Sequence, residues 1–120
     1  MTPEHEKVFQ GLLTETLIAD AHDIGSLLGS VSPLCLAAVA MFGSEAQERI
    51  AIEEMAELTV AVLHHRRGRA DQSVVSEEIA DVFIVAMQLA LVYGPREVAE
   101  AIAAKSERLR ERMREERRLA

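Results

Sequence analysis

The residues from Val82 to Val92 carry one polar side chain, Gln88, and that stretch constrains the fold more than any other. A helix that is apolar all round has to be covered on every side. A bundle of 120 residues can hardly cover such a helix by itself, so the sequence predicts an oligomer with this helix near the subunit interface. The surrounding pattern is also helical. Val8, Phe9, Leu12, Leu13 and Leu17, then Ile24, Leu27 and Leu28, recur at helical spacing. Leucine, alanine, glutamate and arginine dominate, there is no tryptophan, and there are only three prolines. Unbranched side chains lose little freedom in helices, so the expected class is all-α, an antiparallel helical bundle.

Punctuation divides the chain. Gly29-Ser30-Val31-Ser32-Pro33 reads as a turn, which separates an N-terminal helical extension, residues 1–32, from a main helical domain, residues 33–120, within one compact domain. A short apolar helix follows from Pro33 to about Met41. Ser44-Glu45-Ala46-Gln47 fits a capping box, with a long helix to about His65. Arg67-Gly68-Arg69-Ala70-Asp71 forms a loop, Ser73 caps a helix to about Tyr93, and Gly94-Pro95 stops it and starts a last helix towards Leu119.

The net charge of −7 argues against binding a nucleic-acid polymer, which needs a basic surface. The charge is lopsided: residues 1–60 hold ten acids against Lys7 and Arg49, whereas residues 61–120 hold eleven basic groups against ten acids. Cys35 is the only cysteine, so no intrachain disulfide forms, which fits a reducing cytoplasm. The acidic start lacks the pattern of a secretory signal. Read as separate segments, the apolar runs Pro33–Phe42 and Val82–Val92 are too short to span a bilayer, and no membrane partner is expected.

Two acidic pairs carry the chemistry. Glu54 and Glu57 share one helix face, and Glu78 and Asp81 share a face of the next helix. A short loop makes the helices antiparallel neighbours, so the four carboxylates can converge. Carboxylates that face one another repel unless a cation neutralises them. Mg²⁺ suits such oxygen ligands and completes its shell with water and substrate phosphates, and Mn²⁺ is a substitute. Gln47 lies two turns before Glu54 and Gln88 two turns after Asp81, so both border the site as candidate substrate contacts. Lys105, Arg108 and Arg112 form a cationic edge on the last helix, suited to phosphate oxygens.

Glu53-Glu54-Met55-Ala56-Glu57, twenty intervening residues, then Glu78-Ile79-Ala80-Asp81 resembles the EExxE…ExxD signature of the MazG-like all-alpha NTP pyrophosphohydrolases. The flanks are similar too: Phe42-Gly43-Ser44-Glu45-Ala46-Gln47 before, and Val98, Ile102, Lys105, Arg108 and Leu109 after. Each half-motif alone is common on helices; both, at this spacing, are more specific. The resemblance covers roughly residues 34–113 and implies Mg²⁺ ligation by Glu54, Glu57, Glu78 and Asp81. It makes Glu53 a further site carboxylate or an outer one, and places Lys105 and Arg108 on phosphates. The implied reaction cleaves a (deoxy)nucleoside triphosphate to the monophosphate and pyrophosphate, with a general base from Glu53, Glu54 or Glu57, in a cytoplasmic homodimer or homotetramer. Residues 1–32 match no part of that pattern. Without tryptophan, Phe42, Phe83 and Tyr93 are candidates to stack on a base, with core packing the simpler role for each. His64-His65 reads as an exposed helix end. The main alternative is a non-enzymatic helical dimerisation or interaction module. A di-iron centre fits poorly, because no histidine stands three residues after Glu54 or Glu78.

Overall fold

The computed structural model describes residues 2–4, 6–7 and 15–120. The expected apolar positions Val8, Phe9, Leu12 and Leu13 lie outside the described residues. From Glu15 onward the chain is all-helical: α1 (Glu15–Phe42), α2 (Ser44–Arg66), α3 (Gln72–Tyr93) and α4 (Pro95–Leu119), with no strand among the described residues. Two compact units result, one of Leu28–Pro95 and one of Met1–Leu27 with Arg96–Ala120.

The turn expected at Gly29–Pro33 is not there: α1 runs through it, with Pro33 inside the helix. Proline has no N–H to serve the carbonyl four residues back. That carbonyl belongs to Gly29, and Ser32 Oγ donates to it at 2.8 Å, so it is not left without a donor. The consequence reaches the membrane reading. As one helix, Thr16–Phe42 contains an 18-residue window with a mean hydropathy of 1.8 and is long and apolar enough to cross a bilayer, whereas the separate runs are not. A core helix of a soluble protein passes the same test.

Both expected serine caps are replaced. Gly43, at φ 91°, precedes α2, and no side chain caps it; the Gln47 amide goes to the Gly43 carbonyl at 3.2 Å. Only glycine adopts such a φ without strain, so the break after α1 is set by Gly43 and Ser44 becomes the first helical residue. Asp71 precedes α3 in extended backbone, again without a side-chain cap, and Ser73 sits within the helix. The loop of residues 67–71 closes as expected. Gly68 N and Arg69 N reach the carbonyls of His65 and His64 at 3.0 and 2.8 Å, satisfying acceptors at the end of α2. His64, His65 and Arg66 put basic side chains at that helix's negative end.

In the Leu28–Pro95 unit, α2 and α3 pack as an antiparallel hairpin. Its seam is made of small and polar residues. Ala51 is fully buried, Ala61 and Val85 nearly so, and Gln47 and Gln88 are buried with them. Cys35 of α1 is buried too, and its thiol donates to the Ile84 carbonyl at 3.8 Å. No large side chain is fully buried among the described residues. Phe42, Phe83 and Tyr93, for which core packing was the simpler role, are all exposed, and the Tyr93 hydroxyl donates to Glu48 at the open end of the hairpin.

The close approach of α2 and α3 at Ala51 gives a test. Ala51→Leu forces extra methylenes into a fully buried seam, so it should lower the unfolding free energy by about 1–3 kcal/mol. An unchanged midpoint in urea denaturation would contradict the seam.

Candidate metal centre

The hairpin brings three carboxylates together. One oxygen each from Glu54, Glu78 and Asp81 lie within 4.8 Å of one another. Two of these residues come from the first turns of α3 and one from the middle of α2, an arrangement that follows from the five-residue loop and the antiparallel pairing. Glu54 and Glu78 are half-buried, because they point into the seam. Asp81 directly precedes the apolar stretch Val82–Val92, a position that in the sequence suggests half-burial; it stands instead at the seam's edge and is exposed, as are Phe83 and Ile84.

Electrostatics register the crowding. The Glu54 carboxyl is pushed above its ordinary range first by burial, then by the charges of Glu57, Asp81 and Glu78. Glu78 is raised by burial first, then by Glu57, Asp81 and Glu77. Glu57 therefore lies beside both, although it is exposed and outside the three-oxygen group. One oxygen of Glu54 and one of Glu78 are buried without any hydrogen-bond partner. Buried carboxylate oxygens without donors are costly, and a cation or a proton is what relieves them. Glu53 is exposed and not one of the converging groups; successive helical residues point about 100° apart, so facing Glu54 into the seam turns Glu53 away.

The remaining expected site residues divide in two. Gln47 and Gln88 are 4% and 8% exposed. Each lies seven residues farther from the loop than Glu54 and Asp81 respectively, so the hairpin register puts them level with each other on the acidic side of the seam. Gln88 Oε1 is buried without a partner, a further polar demand in the same seam. Lys105 and Arg108 are exposed on α4, one turn apart, and belong to the other compact unit.

His64, exposed at the helix end as expected, also lies near the acids. It lines a recess with Glu57 and Glu78, while the neighbouring His65 is occupied at the loop, its Nδ1–H donating to the Ala70 carbonyl at 2.9 Å. The signal was the spacing Glu57, Ala61, His64, which lies on one helix face.

The raised carboxyls of Glu54 and Glu78 contribute a pH dependence of definite sign to the metal-free protein. A folded-state pKa above the unfolded value means the native state binds the proton more tightly, so stability falls as pH rises through that interval. Metal-free protein should lose thermal stability as pH climbs from about 4.3, the ordinary glutamate value, towards neutrality. Glu54→Gln with Glu78→Gln should flatten that slope and raise the melting temperature at pH 7. A melting temperature that rises over this interval, or an unaltered slope in the double variant, would contradict the reading.

The chain matches no family model, no curated protein and no solved structure.

Proposed function

We propose that the chain is a Mg²⁺-dependent nucleoside triphosphate pyrophosphohydrolase of the MazG-like type, acting as a homo-oligomer. The observation that carries the reading is the convergence of Glu54, Glu78 and Asp81 oxygens within 4.8 Å, with buried oxygens of Glu54 and Glu78 lacking donors. The acidic signature spanning Glu53 to Asp81 supplies the reaction class by resemblance.

The donor set fits a hard divalent cation: carboxylate oxygens only, from two rigid helices. Such a cation, when bound, polarises phosphate oxygens and acidifies water. Glu54, Glu78 and Asp81 would hold it, and Glu57 would add the fourth charge beside them. Water attacks the α-phosphorus, the bond from that phosphorus to the oxygen bridging to the β-phosphate breaks, and pyrophosphate leaves with that oxygen. Glu57, close to the cluster but outside the three-oxygen group, is the carboxylate of the Glu53–Glu57 stretch best placed to take the proton from water. Lys105 and Arg108 are assigned to phosphate oxygens on the strength of the resemblance.

Homo-oligomerisation, as dimer or tetramer, is supported by the apolar surface that the chain leaves exposed. Ile50, Met55, Val62 and Leu63 of α2 and Ile79, Phe83 and Ile84 of α3 are all exposed. So many exposed apolar side chains on two helices would be covered by a neighbouring subunit. The same observation favours the second reading, a non-enzymatic helical association module. A cytoplasmic location is part of the proposal and rests on the single cysteine; the length and hydropathy of α1 weigh against it.

The experiment is a panel of NTPs and dNTPs with Mg²⁺ or Mn²⁺, scoring pyrophosphate against orthophosphate. Pyrophosphate release is expected. Asp81→Ala should lower turnover by more than about a hundredfold, the upper end for loss of a mere outer-sphere partner, while circular dichroism stays helical. An interaction module would show neither turnover nor Mg²⁺-linked stabilisation.

A further inference from the structure

Helix α4 carries a pattern that the carboxylate site does not use. Ala99, Ile102, Ser106, Leu109 and Met113 recur at alternating spacings of three and four residues, the seam of a helix that packs along another helix. Ile102, Leu109 and Met113 are exposed. The Ser106 hydroxyl donates to the Ile102 carbonyl at 2.7 Å, so it makes no polar demand on whatever covers the seam. Charge is sorted around that seam. Lys105 and Arg112 flank it on one side and Arg110 and Arg117 on the other, whereas Glu100, Glu107, Glu111 and Glu115 fall on the outer face. On the second flank, Arg110, Met113, Arg114 and Arg117 line a recess of about 250 Å³. Their spacing i, i+3, i+4, i+7 is that of a frame in which a side chain of a facing helix lodges. Glu107 reaches Arg110 at 2.9 Å and Arg114 at 3.7 Å, but both ion pairs are exposed and readily exchanged.

We propose that α4 docks an acidic amphipathic helix of another protein, whose apolar seam meets Ile102, Leu109 and Met113 and whose carboxylates face Arg110, Arg112 and Arg117. Charge complementarity selects this occupant. A second copy of α4 would set basic flank against basic flank in either direction, so the seam rejects itself. A nucleic-acid strand would leave the apolar seam uncovered and meet the acids of the same helix. A lipid surface takes up a broad apolar face, and this seam is the narrow one of a helix pair. The recess, apolar at Met113 and cationic at its three arginines, fits a glutamate: the methylenes lie on the thioether and the carboxylate meets the guanidinium groups. Lys105, assigned above to phosphate, is not required, and the docking stands whether or not the carboxylates of α2 and α3 serve a hydrolase.

The test uses the full chain and two labelled synthetic peptides of three heptads, each with leucine along its seam. One has glutamate and the other lysine at the flanking positions, so neither pairs with itself. Fluorescence anisotropy should show the glutamate peptide binding about tenfold tighter than the lysine peptide, or more. The triple change Arg110→Glu, Arg112→Glu and Arg117→Glu should reverse that order. If circular dichroism shows that this variant loses helix, the same three positions changed to Gln should abolish the preference. Leu109→Asn with Met113→Asn, which keeps every arginine, should weaken binding of the glutamate peptide by about tenfold or more. Equal binding of the two peptides, or none, overturns the docking. So does an order that survives the arginine changes. Binding that survives the loss of Leu109 and Met113 is attraction of bulk charge alone and overturns it too. Capture of the chain by phosphatidylglycerol vesicles, lost with the same arginines while the glutamate peptide does not bind, assigns the surface to lipid instead.

Discussion

The burial of carboxylates in a helix seam, reinforced by their mutual repulsion, sets the character of the candidate site. Glu54 and Glu78 occupy positions where a helical hairpin ordinarily places apolar side chains, and Asp81 stands at the edge with its oxygen a few ångströms away. Burial and neighbouring charges both disfavour ionisation there. The chain tolerates this because the neighbouring seam positions, Ala51, Ala61 and Val85, let the helices approach closely and hold the acids in place. A local conflict of this sort, in an otherwise consistent helical design, is where function is expected to reside. A cation bound there would turn that energetic penalty into affinity.

Much of this was legible in the sequence. The loop of residues 67–71, the stop at Gly94-Pro95 and the i,i+3 spacing of both acidic pairs follow from local rules, and the hairpin brings Glu54, Glu78 and Asp81 together as those rules require. Three points were not legible. Pro33 reads as a boundary because the local rule cannot see Ser32 reaching back to the Gly29 carbonyl. Ser44 and Ser73 read as caps, but glycine at positive φ and Asp71 determine where α2 and α3 begin. Asp81 reads as half-buried because the apolar residues after it suggest cover that the single chain does not provide. The first two are competitions between nearby backbone groups; the third depends on what lies outside the chain.

The exposed apolar residues and the acid cluster are linked through α3. The helix offers Glu78 and Asp81 to the acid cluster and, from the next turns, leaves Phe83 and Ile84 exposed. Gln88, buried with an unpartnered oxygen, sits farther along the same helix. A neighbour that covers Phe83 would lie within a turn of Asp81, so assembly and the ionisation of the site are expected to influence each other. The recess towards the loop lies at the other end of the acid cluster, lined by aliphatic side chains and His64.

The central claim is that the three converging carboxylates are a cation site. Crystals grown with Mn²⁺ and measured at an energy with strong manganese anomalous scattering would test it most directly. The account predicts an anomalous peak bonded to oxygens of Glu54, Glu78 and Asp81. Full-strength manganese elsewhere with none between these residues, or side chains turned apart into solvent in the presence of the metal, would contradict it.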